Sequence, residues 1–345
     1  MPRFLAAFPP GIGDIVRKEL EEKIGFNIIA EENPLGIQGK LIVDVPASKN
    51  MVPSEFRSID SFTEYAGSFK VERSKNALEK IYGNIVKMDF PEDFHKASSF
   101  RVTCRRQGKH DFNSIEVEKV AGKALVEKYH LKVDLDSFEV NVFIEIFGDA
   151  CFISLSRGEH YRGRYMVFDH PAPLKPSIAY AMIRLAEVKP GMTVLDPMCG
   201  GGTIPVEIVL AVRGVRTYGF DVSDYFLEGA VLNAEAMGVG EKIFFKKVDC
   251  RRLSKTVRFK VDRIITNPPY GTRPVARIKP HPLYSKCLSE MKKILEDNGK
   301  IVLITLKPDY VKKISSEIRL NLEHERRVKH GEAYPHIMVL TPSQR

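Results

Sequence analysis

At 345 residues the chain is long enough for two or three domains, each with its own core. A 43% hydrophobic content with no apolar run near the roughly twenty residues of a membrane span argues against a membrane protein. Five scattered cysteines without a Cys-x-x-Cys pair exclude a disulfide scaffold and leave no zinc-site spacing, so no metal is expected. The first ten residues are too short and too proline-broken for a secretory signal, and cytoplasmic residence is the expectation.

In chain order, Gly11-Ile12-Gly13-Asp14 leads a helix through Lys23, and residues 41–45 read as a strand. Ser99-Phe100-Arg101-Val102-Thr103-Cys104 alternates as a strand. Residues 114–129 have helical spacing, with Ser114 as the expected cap and Glu116 and Glu118 in the first turn. Residues 139–146 alternate again, and Cys151-Phe152-Ile153-Ser154-Leu155 adds another strand. This α/β front half carries no catalytic constellation. Near residues 157–178, basic and aromatic residues give way to His170-Pro171-Ala172-Pro173-Leu174-Lys175-Pro176, a proline-stiffened connection.

The rear half alternates strand and helix. Thr193-Val194-Leu195-Asp196 runs into Pro197-Met198-Cys199-Gly200-Gly201-Gly202-Thr203 and an apolar helix through Ala211. A strand ending at Asp221, a helix over 223–237, and a strand over 243–249 ending at Asp249 follow. Val261-Asp262-Arg263-Ile264-Ile265-Thr266 leads into Asn267-Pro268-Pro269-Tyr270. A helix over 282–296, a strand over 300–306 and a closing antiparallel strand over 337–340 complete the chain. The pattern predicts a doubly wound sheet with ligands at the carboxyl ends of its strands.

Three acids at successive strand ends followed by Asn-Pro-Pro-Tyr at a fourth form an order that helix caps alone do not produce. The glycine turn lets backbone approach a ligand, and its spacing is neither a P-loop nor Gly-x-Gly-x-x-Gly. Asp196 is placed to hold an amino-acid ammonium, Asp221 a ribose diol, and Asp249 an adenine amino group. Paired prolines fix the backbone after Asn267. Asn267 Oδ1 and the Pro268 carbonyl then suit two N–H bonds of a planar, weakly basic amine, with Tyr270 stacking on its ring. Such positioning accounts for most of the catalysis. Charge complements this chemistry. Lys and Arg total 53 against 44 acids, a net charge of +9. They cluster as Arg101, Arg105, Arg106 and Lys109, as Arg157, Arg162 and Arg164 interleaved with Tyr161 and Tyr165, and as Arg326, Arg327 and Lys329. Such clusters suit phosphate contact.

This succession of motifs resembles the class I S-adenosylmethionine-dependent methyltransferases from about residue 165 onward, and Asp-Pro-x-Cys-Gly-x-Gly-Thr is similar to their RNA guanine-N2 branch. The resemblance implies S-adenosyl-L-methionine as cofactor and a Rossmann-like methyltransferase domain over 179–345. It places Lys175, Pro176, Ser177, Asp196, Met198, Gly200, Gly202, Thr203, Asp221, Val222, Asp249, Cys250 and Asn267 at the cofactor, and Asn267, Pro268 and Tyr270 at the reacting amine. Gly201 departs from the family, where serine is frequent. Cys199 is not read as a nucleophile, because it lies in the cofactor loop. Phe100 to Arg106, Gly108-Lys109-His110, Val133-Asp134-Leu135 and Cys151 to Leu155 resemble the THUMP domain, expected over 66–160. Residues 1–65 are similar to its usual ferredoxin-like companion, and 161–178 form a linker. Both front domains are of the α+β type.

The resemblance implies methylation of guanosine N2 in tRNA, with the front half reading the acceptor end and acceptor stem. Asn-Pro-Pro-Tyr resembles the type acting on guanosine 6. Action on position 10 or on ribosomal RNA, a protein glutamine-N5 methyltransferase, and a non-catalytic RNA-binding protein remain the alternatives. Arg273 is a further candidate RNA contact, and a monomer is expected.

Overall fold

The computed structural model describes residues 1–25, 28–46, 55–157, 166–270 and 280–343. It divides into two units, Met1–Phe8 with Val16–Gly163, and Pro9–Ile15 with Arg164–Arg345. In the first, β1 (Arg3–Ala7), β2 (Ile29–Glu32), β3 (Lys40–Asp44), β4 (Ser61–Lys70), β5 (Ser99–Gln107), β6 (Lys132–Val133), β7 (Val140–Phe147) and β8 (Ala150–Arg157) join into one sheet among the described residues. Their order is β2-β3-β1-β4-β8-β7-β5-β6. Alternation sends Phe100, Val102 and Cys104 of β5 to one face with Val142 and Ile144 of β7. After α1 (Gly13–Lys23), α2 (Ala77–Lys87) packs onto that face through Ala77, Ile81 and Ile85, and after the short α3 (Glu92–His95), α4 (Ser114–Tyr129) packs there through Val117, Ala121 and Leu125. Those positions recur every three or four residues, the spacing of one buried helix face.

One boundary in this unit differs in detail from the sequence expectation. The cap of α4 is Asn113, not Ser114. Asn113 Oδ1 accepts from the Glu116 N–H at 2.9 Å, and Glu116 Oε2 accepts from the Asn113 N–H at 2.8 Å, a reciprocal capping box one residue earlier. The expected division at 65/66 falls inside β4, which pairs with β1 on one side and β8 on the other.

In the second unit, β9 (Thr193–Asp196), β10 (Arg216–Asp221), β11 (Ile243–Lys247), β12 (Val261–Thr266), β13 (Leu295–Thr305), β14 (Leu320–Arg327) and β15 (His336–Pro342) take the order β11-β10-β9-β12-β13-β15-β14. The first five are parallel, and β15 runs antiparallel between β13 and β14. The helices are α5 (Pro176–Leu185), α6 (Thr203–Ala211), α7 (Asp224–Ala236), α8 (Leu253–Thr256), α9 (Pro280–Ile294) and α10 (Pro308–Glu317). The expected doubly wound sheet and its antiparallel closing strand are both present. Strand 295–305 starts earlier than expected, so α9 ends at Ile294 and not near 296. β9 has β10 on one side and β12 on the other, the point where the strand order reverses and a crevice opens at the carboxyl ends. No helix among the described residues is long and apolar enough to cross a membrane.

The cap assignment is testable by urea unfolding. Asn113→Ala should cost about 1 kcal/mol, whereas Ser114→Ala should stay within about 0.5 kcal/mol of the parent.

Candidate active site

The four residues of β9 are all buried, and the strand delivers Asp196 to the carboxyl edge at 1% exposure. Its Oδ1 accepts the Met198 N–H at 3.1 Å, which bends the chain into the glycine turn. The Cys199 N–H then donates to the Phe220 carbonyl at 2.8 Å and ties the turn to β10. Gly200 and Gly202 have φ of +50° and +81°, a region that disfavours side chains, and a Cβ on Gly202 would lie 3.0 Å from Ala230 of α7.

Burial, assisted by the nearby Asp221 charge, outweighs the Met198 N–H and pushes the Asp196 carboxyl up to about 7. Burial likewise holds the Cys199 thiol well above its usual range, so it stays protonated and is a poor nucleophile.

Asp221 ends β10 and braces the same turn. Its Oδ2 accepts the Gly200 N–H at 3.0 Å and its Oδ1 the Ser223 N–H at 3.0 Å. Each oxygen retains a further acceptor position, as a diol requires. Val222, beside it, is 61% exposed. Lys175 precedes α5 as its cap residue, Pro176 occupies the first turn, and Ser177 is buried.

Parallel pairing sets Arg263 beside Val194 and Ile264 beside Leu195, so the end of β12 arrives next to the Asp196 turn. Asn267 therefore shares one cleft with Asp196, Met198, Gly200 and Thr203. Pro268 is buried and Pro269 exposed. The Tyr270 hydroxyl donates to Asn267 Oδ1 at 2.7 Å, and burial raises the phenol above its ordinary pKa, so it remains a donor. The hydroxyl thus occupies one of the two acceptor positions of Oδ1 and leaves one.

Asp249 and Cys250 do not line this cleft. Asp249 caps the 3-10 turn after β11 and is paired with Arg251 at 2.7 Å, while Cys250 is buried beside Cys287. In the first unit, β5 points Arg101 and Arg105 away from the helix-covered face; Arg101 donates to the Leu135 carbonyl, and Arg105 is exposed. Arg106 lies over Phe112 and bonds His110. Lys109 is exposed, and Arg157 stands 3.7 Å from Glu139. In the second unit, Arg326 forms a two-pronged pair with Asp14, and Arg327 stacks on Tyr334. Arg162, Arg164 and Arg273, with Tyr161 and Tyr165, lie outside the described residues.

The sequence reading missed Asn233 and His170. Asn233 Nδ2 donates to the Gly201 carbonyl at 2.8 Å and to the Phe168 carbonyl at 3.2 Å, and its Oδ1 accepts the Phe168 N–H at 2.8 Å. One buried amide thereby fastens the glycine turn to residues 168–170. A Cβ on Gly201 would meet His170 at 3.2 Å, so here glycine makes room for this segment. The only signal was a polar residue on the apolar side of α7. His170 lines the cleft and sits 4.4 Å from the Phe226 ring, although its proline-rich setting reads as a connector. A buried carboxylate, a second carboxylate beside it and a close backbone turn fit the ammonium, diol and nucleoside of S-adenosylmethionine. Among the described residues no group of three His, Cys, Asp or Glu side chains forms a metal site.

The family described as RMKL-like, methyltransferase domain (UPF0020) matches residues 163–336, and the THUMP domain matches 75–156. A tRNA (guanine(6)-N2)-methyltransferase of Archaeoglobus fulgidus is 30% identical, covering 98% of this chain and 91% of that protein. A protein of the same name from Thermus thermophilus is 35% identical over 71% of this chain and 72% of its own length. The crystal structure of TrmN from Thermus thermophilus superposes with a TM-score of 0.78 at 28% identity, covering 99% of this chain and all of that one.

A carboxyl raised on folding favours the folded state while protonated, so its contribution is complete near pH 4 and is lost as pH rises through 7. The free protein should therefore lose on the order of 4 kcal/mol between those limits from Asp196 alone. Melting temperatures from pH 5 to 8 should fall more steeply for the parent than for Asp196→Asn. Parallel curves would refute the assignment.

Proposed function

The chain belongs to the RMKL-like UPF0020 methyltransferase family, and on that premise we propose that it methylates the exocyclic N2 of guanosine 6 in the acceptor stem of tRNA. The enzyme is a methyltransferase with S-adenosylmethionine as donor. The observation that carries the reading is Asn267, anchored by Tyr270 and set in one cleft with the Asp196 turn. THUMP at 75–156 supports tRNA as partner, and the relatives named for guanine 6 support the position. In this reading residues 1–65 form the ferredoxin-like domain, 66–160 THUMP, 161–178 a linker and 179–345 the catalytic domain of a monomeric cytoplasmic enzyme.

When bound, S-adenosylmethionine supplies an electrophilic methyl on a sulfonium. Asp196 would hold its ammonium end and Asp221 its diol. Asn267 Oδ1, through its remaining acceptor position, and the Pro268 carbonyl receive the two N2–H bonds and turn the nitrogen lone pair toward the methyl. Direct transfer would break the carbon–sulfur bond as the carbon–nitrogen bond forms, and the proton of the resulting cationic amine would pass to water. No strong base is needed at the outset, so alignment is the main contribution of the protein. A guanosine in a stem must first leave its stack at a cost of a few kcal/mol, which the aromatic surface of Tyr270 offsets.

Replacing guanosine 6 by inosine in a tRNA transcript removes only the accepting amine, and methyl incorporation should disappear. Persistent incorporation would overturn the position. Asn267→Ala should lower kcat by roughly 100-fold or more, by analogy with loss of one transition-state hydrogen bond. Tyr270→Phe should lower it about tenfold through loss of one orienting hydrogen bond. Single-turnover methylation with S-adenosylmethionine in excess measures both, and full activity in Asn267→Ala would refute the alignment mechanism.

A further inference from the structure

A cleft of about 330 Å³ opens at the end of β11, lined by Asp249, Arg251, Arg252, Lys255, Lys286 and Glu290. Four cations thus face two carboxylates, and both carboxylates are already engaged. Asp249 is held by Arg251 at 2.7 Å, while Glu290 accepts from Ser254 Oγ at 2.6 Å and from Lys293 at 2.6 Å. The side chains of Arg252, Lys255 and Lys286 are exposed and have no hydrogen bond or ion pair among the described residues. Three positive charges without a direct ion-pair partner among the described residues stand on two separate elements, the turn running into α8 and the helix α9, with Asp249 offsetting Arg252 only at longer range, and an anion would supply that partner.

The location indicates which anion. Asp249 follows β11 at the carboxyl edge of the sheet, the edge that also carries Asp196, Asp221 and Asn267. β11 and β12 are separated by β10 and β9, three strand spacings or about 14 Å. A nucleic acid presenting a base at Asn267 has its backbone within that reach. Open geometry and three separately mounted cations match a run of phosphodiesters better than one enclosed phosphate. Resting on the guanosine-N2 reading above, we propose that Arg252, Lys255 and Lys286 form a backbone-binding cleft for the RNA substrate, fixing the strand while the target base enters the Asn267 loop. Phosphate contacts of this kind set position and carry no sequence information.

The test compares the full-length protein with the triple variant Arg252→Gln, Lys255→Gln, Lys286→Gln, and with Arg252→Gln alone as a milder change. Binding of an unmodified tRNA transcript is measured against salt, alongside methyl-transfer kinetics. Each lost phosphate contact lowers the log–log salt slope by roughly 0.7 to 0.9, so the triple variant should lose about 2.1 to 2.7 and the single variant slightly under 1. KM for tRNA should rise at least tenfold with kcat within about twofold of the parent, because positioning affinity is lost and the reacting groups are untouched. Unchanged slope and KM in variants that bind S-adenosylmethionine normally would overturn the proposal. Pyrophosphate binding that the triple variant loses, with an unchanged tRNA slope, would assign the cleft to a free anion and also overturn it. Failure of the parent to methylate tRNA refutes the guanosine reading instead, while a lost slope would still support the cleft.

Discussion

Parallel pairing of β9 with β12 is the constraint on which the site depends. Asp196 and Asn267 are separated by seventy residues of sequence, and only the register Arg263 to Val194 and Ile264 to Leu195 brings the two strand ends together. A one-residue slip would reverse the side-chain faces of β12 and move Asn267 along the edge. Buried apolar residues on both faces fix that register: Val194, Leu195, Ile264 and Ile265 are all fully buried. The packing that stabilises the sheet is therefore also what places donor and acceptor groups side by side.

Asp196 shows the cost of that placement. A carboxylate with 1% exposure is unfavourable unless something positive meets it, and in the free protein the Met198 N–H, the Thr266 side chain and protonation relieve it. Asp221 is satisfied by two N–H groups and retains room for more. The two acids thus divide the work. One is poised for a cation, and the other braces the loop while it waits for hydroxyls.

Much of this was legible in the sequence because strand ends in a doubly wound sheet leave a local mark: an apolar run, then an acid or amide, then glycine or proline. Asp196 and Asn267 each carry that mark in full, and Asp221 carries its acid at the strand end but is followed by Val222-Ser223. Asn233 leaves only a polar residue on the apolar side of a helix, since its partners lie 32 and 65 residues away and become neighbours only after folding. Tyr270 was read as a stacking ring, but its hydroxyl also holds Asn267, which a four-residue motif does not reveal. Arg252 and Lys255 were not singled out in the sequence, because only folding brings Lys286 of α9 to the same cleft. Strand β14, Leu-Asn-Leu-Glu-His-Glu-Arg-Arg, escaped notice because an edge strand buries little and lacks an apolar pattern.

The most direct test is to supply labelled S-adenosylmethionine and an unmodified tRNA transcript, digest the product to nucleosides, and map the labelled residue. The account predicts N2-methylguanosine at position 6. Label on another base atom, or on a protein with none in RNA, would contradict it.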